Sequence, residues 1–192
     1  MMRKIAIFAS GTGTNFVALV QAIKARQLPA QVVLLVCDHQ DAPVLQRAQA
    51  FDIPSVVINF KDYANKAAAE TAILAALQAR GVQAILLAGY MRIIGPTLLA
   101  AYPNKIINIH PALLPKFPGA HGIEDAFAAG VKETGVTIHF IDAGVDSGPI
   151  IAQKAVPVLP TDDLDSLETR IHATEHVLYP DVLADLLKKG AL

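Results

Sequence analysis

Asn108 and His110 stand two apart in the segment Ile106-Ile107-Asn108-Ile109-His110-Pro111. Alternate residues of a strand share a face, so the carboxamide and the imidazole point one way while Ile107 and Ile109 point the other. Asn is a poor strand former, and polar side chains inside an aliphatic strand need partners or a task. A carboxamide can donate to an oxygen on which negative charge develops, and a histidine can give or take a proton near neutral pH. Pro111 ends the strand at this pair, placing it at a carboxyl end, where ligands bind in open α/β sheets. A hydrogen-bonded structural pair is the alternative. Asp146, in the stretch Gly144-Val145-Asp146-Ser147-Gly148-Pro149, is the third candidate, because a carboxylate beside His110 would stabilise the imidazolium. On its own, an Asp in such a stretch reads first as a turn residue.

A second cluster follows the first apolar run. Ser10-Gly11-Thr12-Gly13-Thr14-Asn15 opens a helix. Glycines let backbone approach a ligand closely, and a helix start offers unpaired amides and a positive dipole end. With Thr14 and Asn15 as side-chain donors, this reads as a cup for a phosphate-bearing small substrate. A dinucleotide fingerprint is the competing reading, with Asp38 near the end of the second strand as its ribose acid. Phe16 stands where the third glycine should be, so only two of three glycines match. A turn that needs glycines for geometry alone is the remaining alternative.

His172-Ala173-Thr174-Glu175-His176 matches H-x-x-E-H, an inverted zinc-protease pattern. A third ligand would have to come from Asp181 or Asp185, in a stretch that Pro180 disrupts, so we read the match as chance and expect no metal. His121 lies in the Pro/Gly-rich stretch and reads as a solvated loop histidine. Cys37, the single cysteine, ends an apolar run and reads as a buried structural thiol.

The elements that must position these residues alternate. Strands are expected at Lys4 to Ala9, Gln31 to Cys37, Ser55 to Ile58, Ala84 to Gly89 and Ile106 to His110. Helices are expected at Asn15 to Ala25, Ala42 to Phe51, Tyr63 to Arg80 and Thr97 to Ala101. That pattern indicates a Rossmann-like, doubly wound, mostly parallel α/β sheet. The second half differs. Pro111 to Gly122, with three prolines and two glycines, reads as a long loop. Gly122 to Ala129 reads as a helix. Thr134 to Asp142 and Ile150 to Pro157 are strands joined by so short a turn that they should pair antiparallel. Thr161 to Leu187 reads as a helix broken or kinked at Pro180.

The 192 residues suit one domain, 1–192, and 53% hydrophobic content with 6% aromatics and no Trp implies a large aliphatic core. A net charge of −1 and the lack of a basic stripe argue against nucleic acid and membrane partners. One cysteine excludes an internal disulfide and fits a cytoplasmic protein. The start, Met1-Met2-Arg3-Lys4 before a short apolar run, is read as a first strand and not a signal peptide.

Two motifs, Asn108-Ile109-His110-Pro111-Ala112-Leu113-Leu114-Pro115 and Gly144-Val145-Asp146-Ser147-Gly148-Pro149-Ile150-Ile151, resemble the signatures of the 10-formyltetrahydrofolate-dependent formyltransferases. The loop Ser10–Asn15 and the run Ala88-Gly89-Tyr90-Met91-Arg92-Ile93-Ile94 extend the resemblance over essentially the whole chain. It implies a formyltransferase fold with 10-formyltetrahydrofolate as co-substrate and the glycinamide amine of 5'-phosphoribosylglycinamide as acceptor. Asn108, His110 and Asp146 would be catalytic. Gly11, Thr12, Gly13, Thr14, Asn15, His172 and Glu175 would hold the ribonucleotide. Met91, Arg92, Ile93, Ile94, Asn108, Asp142, Ala143, Gly144, Val145 and Asp146 would hold the folate. Lys66 aligns where the family often carries an Arg for the folate tail; it keeps the charge but lacks Arg's bidentate fork. The resemblance is compatible with a monomer or a homodimer. Sibling enzymes that act on initiator tRNA or hydrolyse formyl-folate carry added domains, which a chain running from first strand to last helix leaves no room for. A Rossmann oxidoreductase and a non-catalytic binding module are the readings from other classes.

Overall fold

A computed structural model describes residues 2–192. The strands are β1 (Arg3–Phe8), β2 (Ala30–Cys37), β3 (Ser55–Val57), β4 (Ala84–Leu87), β5 (Ile106–His110), β6 (Glu133–Phe140) and β7 (Ile150–Pro157). The helices are α1 (Thr14–Ala25), α2 (Val44–Ala50), α3 (Lys66–Ala79), α4 (Pro96–Ala101), α5 (Gly122–Ala128) and α6 (Leu164–Lys188), with a single 3-10 turn at Phe60–Asp62. One sheet runs β3-β2-β1-β4-β5-β6-β7. Its first five members are parallel; β6 pairs antiparallel with β5, and β7 antiparallel with β6. The expected doubly wound sheet with an antiparallel C-terminal extension is the fold observed.

Alternation along the buried strands divides the core. Ile5 and Ile7 of β1 face the layer of α1, α2 and α6, while Ala6 and Phe8 face α3 and α4. The strand order reverses at β1, with β2 on one side and β4 on the other, which opens a crevice at the carboxyl ends of these strands. Cys37 is fully buried, as expected.

Two helices depart from the sequence expectation. The chain before α3 is not helical from Tyr63. Asn59 caps the 3-10 turn and Asn65 caps α3, its side chain accepting from the Ala68 amide at 2.9 Å. The last helix begins at a capping box, in which Asp163 accepts from the Ser166 amide at 2.8 Å and the Ser166 hydroxyl accepts from the Asp163 amide at 3.0 Å. It then runs through Pro180 without interruption. Pro180 removes one helical donor, but Tyr179, Val182, Leu183 and Leu186 are buried around it, and that packing keeps the segment helical. The Tyr179 hydroxyl, fully buried, lies 3.1 Å from the carbonyls of both Leu87 and Ile107 and ties α6 to the end of β4 and the first residues of β5.

Candidate active site

A cavity of about 500 Å³ opens at the carboxyl ends of β1, β4 and β5. Every predicted site residue lines it except Lys66 and Ala143. Lys66 is exposed at the start of α3, and Ala143 is exposed in the loop between β6 and β7.

One end is built on α1. Gly13, at φ +76°, caps the helix with no side chain, so the first-turn amides have no side-chain acceptor of their own. A Cβ here would overlap Val44, so the close approach of α2 demands glycine as much as the left-handed backbone does. Phe16, which spoiled the dinucleotide fingerprint, is fully buried and packs edge-on against Phe51 at 6.3 Å, filling the space that a third glycine would have closed. Asn15 donates from Nδ2 to Glu175 Oε2 at 2.9 Å, and His172 Nδ1 approaches the same oxygen at 2.8 Å. Glu175 is 3% exposed. The hydrogen bond to Glu175, then the proximity of Glu168, raise the pKa of His172 against the opposing effect of burial. The H-x-x-E-H glutamate is thus held by Asn15 and His172. His176, the pattern's last member, stacks on His172 with centroids 6.4 Å apart.

The middle wall is the segment after β4, and it is pinned from three directions. The Met91 amide donates to Ser10 Oγ at 2.9 Å. Arg92 Nε donates to Asp38 Oδ2 at 2.8 Å, and its guanidinium lies over the Phe60 ring at 5.0 Å. The Gly95 amide donates to the buried Glu70 carboxylate at 2.6 Å. Burial would raise the Asp38 carboxyl, but Ser10, Arg92 and His39 outweigh it and hold the pKa below its ordinary value. Asp38 therefore serves as an anchor for this wall, which accounts for an acid at the place where a dinucleotide protein would hold ribose.

The far end holds Asn108 and His110 side by side, as the strand spacing predicted, and brings Asp146 to them from the loop between β6 and β7. His110 Nδ1 lies 3.4 Å from Asp146 Oδ2, and His110 Nε2 lies 2.7 Å from the Phe117 carbonyl. Both ring nitrogens face oxygen acceptors, and only the imidazolium can donate at both. Asp146 Oδ2 also accepts from the Gly119 amide at 2.8 Å. Burial works to raise Asp146, while His139, the Gly119 amide and His110 more than offset it, keeping the carboxyl below its ordinary pKa. Asp146 sits at φ +50°, a left-handed conformation that Asp tolerates better than most residues. Its loop is braced by Asp142, whose Oδ1 accepts from the Gly144 amide at 2.9 Å and the Ser147 hydroxyl at 2.8 Å. A Cβ at Gly148 would overlap the Phe140 carbonyl, so the loop closes only with glycine there.

His139 escaped the sequence reading. It is fully buried on β6, directly opposite Asn108 in the antiparallel register. Its Nδ1 lies 2.9 Å from the Phe140 carbonyl, and its Nε2 lies 3.2 Å from Asn108 Nδ2 and 3.5 Å from Asp146 Oδ1. When neutral it accepts from the carboxamide; when protonated it donates to the carboxylate. Thr137 and His139 share one face of β6, the same two-residue polar pattern that singled out Asn108 and His110. Thr137 Oγ1 donates to the Ala112 carbonyl at 2.6 Å and fixes the start of the 111–121 loop. His121, in that loop, is 73% exposed at its side chain, as expected. No group of three His, Cys, Asp or Glu side chains among the described residues is arranged to hold a metal ion.

Fold and cavity together define a class, a doubly wound α/β protein with a glycine-lined helix start after its first strand and an Asn–His–Asp cluster at the end of its fifth. Residues 3–183 match the family described as formyl transferase, and the chain belongs to that family. It is 53% identical over 186 residues to the phosphoribosylglycinamide formyltransferase of Bacillus subtilis (strain 168), covering 97% of this chain and 95% of that protein. It is 44% identical to the trifunctional purine biosynthetic protein adenosine-3 of Drosophila melanogaster, of which it spans 14%. The crystal structure of glycinamide ribonucleotide transformylase 1 from Geobacillus kaustophilus superposes with a TM-score of 0.95 at 55% identity, covering 97% of this chain and 100% of that one.

Proposed function

We propose that this protein transfers the formyl group of 10-formyltetrahydrofolate to the glycinamide amine of 5'-phosphoribosylglycinamide. The products are phosphoribosyl-N-formylglycinamide and tetrahydrofolate, in a step of de novo purine synthesis. The observation that carries the reading is the continuity of one cavity, from the amide-lined cup at Gly11–Asn15 to the Asn108–His110–Asp146 cluster. The high identity to the Bacillus protein over nearly the whole of both chains supports the choice of substrates.

The ribonucleotide phosphate lies in the cup, with Glu175 facing its sugar and His172 beside Glu175. The folate ring lies against Met91–Ile94 and the 142–146 loop, and its tail runs outward in the direction of Lys66. The amine attacks the formyl carbon, and the carbonyl electron pair moves onto oxygen. Asn108 keeps a second Nδ2 hydrogen free of His139 and donates it to that oxygen. His110, as imidazolium beside Asp146, stabilises the oxyanion and passes a proton to the departing folate nitrogen as the C–N bond breaks. The attacking nitrogen loses a proton, so the balance closes without an external acid. Before substrates bind, Phe117 carbonyl oxygen occupies His110 Nε2, and catalysis requires that this contact be exchanged for the reacting groups. The chain acts as one formyltransferase domain in the cytoplasm.

The test mixes the protein with both substrates and follows tetrahydrofolate release. The expected result is turnover that depends on the ribonucleotide. No turnover, or equal turnover without it, overturns the assignment.

A further inference from the structure

The ribonucleotide end of the cavity meets its anion with little fixed positive charge. Among the described residues that line the cavity there is no lysine, and its one arginine, Arg92, is committed to Asp38 and the Phe60 ring. The cation nearest to hand is conditional. His172 is held at both nitrogens by carboxylates, Nδ1 at 2.8 Å from Glu175 and Nε2 at 3.2 Å from Glu168. A ring donating at both nitrogens carries a charge.

The surroundings separate this histidine from its neighbour. His176 stacks beneath it with planes 13° apart, and burial pushes the His176 pKa down, so the charge of the stacked pair resides on His172. The groups facing His172 are Glu168, Glu175 and His176 of its own helix and the neutral Asn15 of α1, which shares Glu175 Oε2. From the other elements packed on α6, the ionisable Glu124 and Asp125 of α5, Glu133 and His139 of β6 and Lys154 of β7 make no ion pair with it.

We propose that His172 is a pH-sensitive positioning residue of the ribonucleotide subsite. As the imidazolium it holds Glu175 against Asn15 and offsets the carboxylate charge beside the cup, so that a phosphate dianion is accepted. As the neutral imidazole it leaves Glu168 and Glu175 unopposed next to that dianion. The inference rests on the function proposed above and makes the affinity for the phosphorylated substrate fall as pH rises.

Steady-state kinetics of the wild type, His172→Gln and His172→Lys between pH 6.5 and 9 test it. The second ionisation of a phosphate, near pH 6, is nearly complete over this range and common to all three proteins. The wild-type KM for the ribonucleotide should rise about fivefold, the size expected for one charge in a partly solvated site. His172→Gln should show a high KM with little pH dependence. His172→Lys, whose ammonium stays charged, should hold a low KM to the top of the range, and the KM for the formyl donor serves as internal reference. Calorimetry at pH 7.5 in buffers of different ionisation enthalpy gives a reading that does not need turnover. Ribonucleotide binding should take up more protons in the wild type than in His172→Gln. Parallel KM profiles for wild type and His172→Gln, with equal proton uptake, overturn the inference and leave the assigned reaction standing. Absence of ribonucleotide-dependent turnover in the wild type removes both.

Discussion

The two ends of the cavity are built to different tolerances. At the ribonucleotide end, Asn15, Glu175 and His172 already meet at 2.8–2.9 Å, and the cup is backbone fixed by the start of a helix. At the transfer end, the distances from Asp146 to His110 and His139 are 3.4 and 3.5 Å, and His110 Nε2 is spent on a loop carbonyl. Catalytic hydrogen bonds in unliganded enzymes are often long and tighten when substrate binds. Under the proposed function the contrast amounts to a division of labour, with one end set in advance for binding and the other required to tighten when substrates arrive.

The largest effect should fall on the loose end. Asp146→Asn keeps the shape and removes the charge, and kcat should drop at least ~100-fold, the low end of what an acid–base group contributes. A loss under tenfold would break the pairing with His110 and with it the comparison. Gly148→Ala tests whether the loop that carries Asp146 is fixed by close packing. Its Cβ meets the Phe140 carbonyl, and overpacking of this kind costs about 1–3 kcal/mol, so thermal unfolding should show a lower midpoint together with a reduced kcat. An unchanged midpoint would show that the loop relocates freely.

At the preset end the effects should be smaller and confined to binding. Glu175→Gln removes a charged hydrogen-bond acceptor, and KM for the ribonucleotide should rise about tenfold, since bonds to charged groups contribute roughly 1.5–3 kcal/mol. A fall in kcat of equal size would erase the distinction between the ends. In the wall between the two ends, Asp38→Asn weakens the anchor of Arg92 and leaves that of Glu70 in place, and KM for the formyl donor should rise about threefold, from an interaction of order 1 kcal/mol. Smallest is a stability effect at His172. Its pKa is raised above 6.5 in the folded state, so its contribution is fully present below 6.5 and is lost as pH rises through the higher folded value. The side chain is 40% exposed, so solvent screens much of the interaction. The melting temperature of the wild type should fall slightly relative to His172→Gln between pH 6 and 8; a constant difference would mean that the pair adds nothing to folding.

How much was readable in advance follows the same division. Asn108 and His110 declared themselves because a period of two and a terminal proline are local signals. The cup did so because glycines before a helix start are local as well. Asp146 offered only a carboxylate that could serve His110 and read first as a turn residue; its place depends on a loop folding back across β5, and the resemblance was what made it a catalytic candidate. His139 was missed because its importance comes from the antiparallel register that sets it opposite Asn108, and no window of β6 reveals its partner. Ser10, Asp38 and Glu70 were not read as supports for one segment, because their contacts with it span 81, 54 and 25 residues. Pro180 does not break α6, its local penalty being outweighed by the packing of its neighbours.

The three anchors of the 90–95 segment bear on exchange of parts between relatives. Ser10 belongs to the first turn after β1, Asp38 to the end of β2 and Glu70 to α3, so the segment's shape is stored in three separate stretches of chain. A graft of 88–95 alone would arrive without its moorings. Transplanting it with positions 10, 38 and 70 would move the wall as a working unit, and recombination between relatives is least disruptive where its crossovers keep those four pieces of common ancestry.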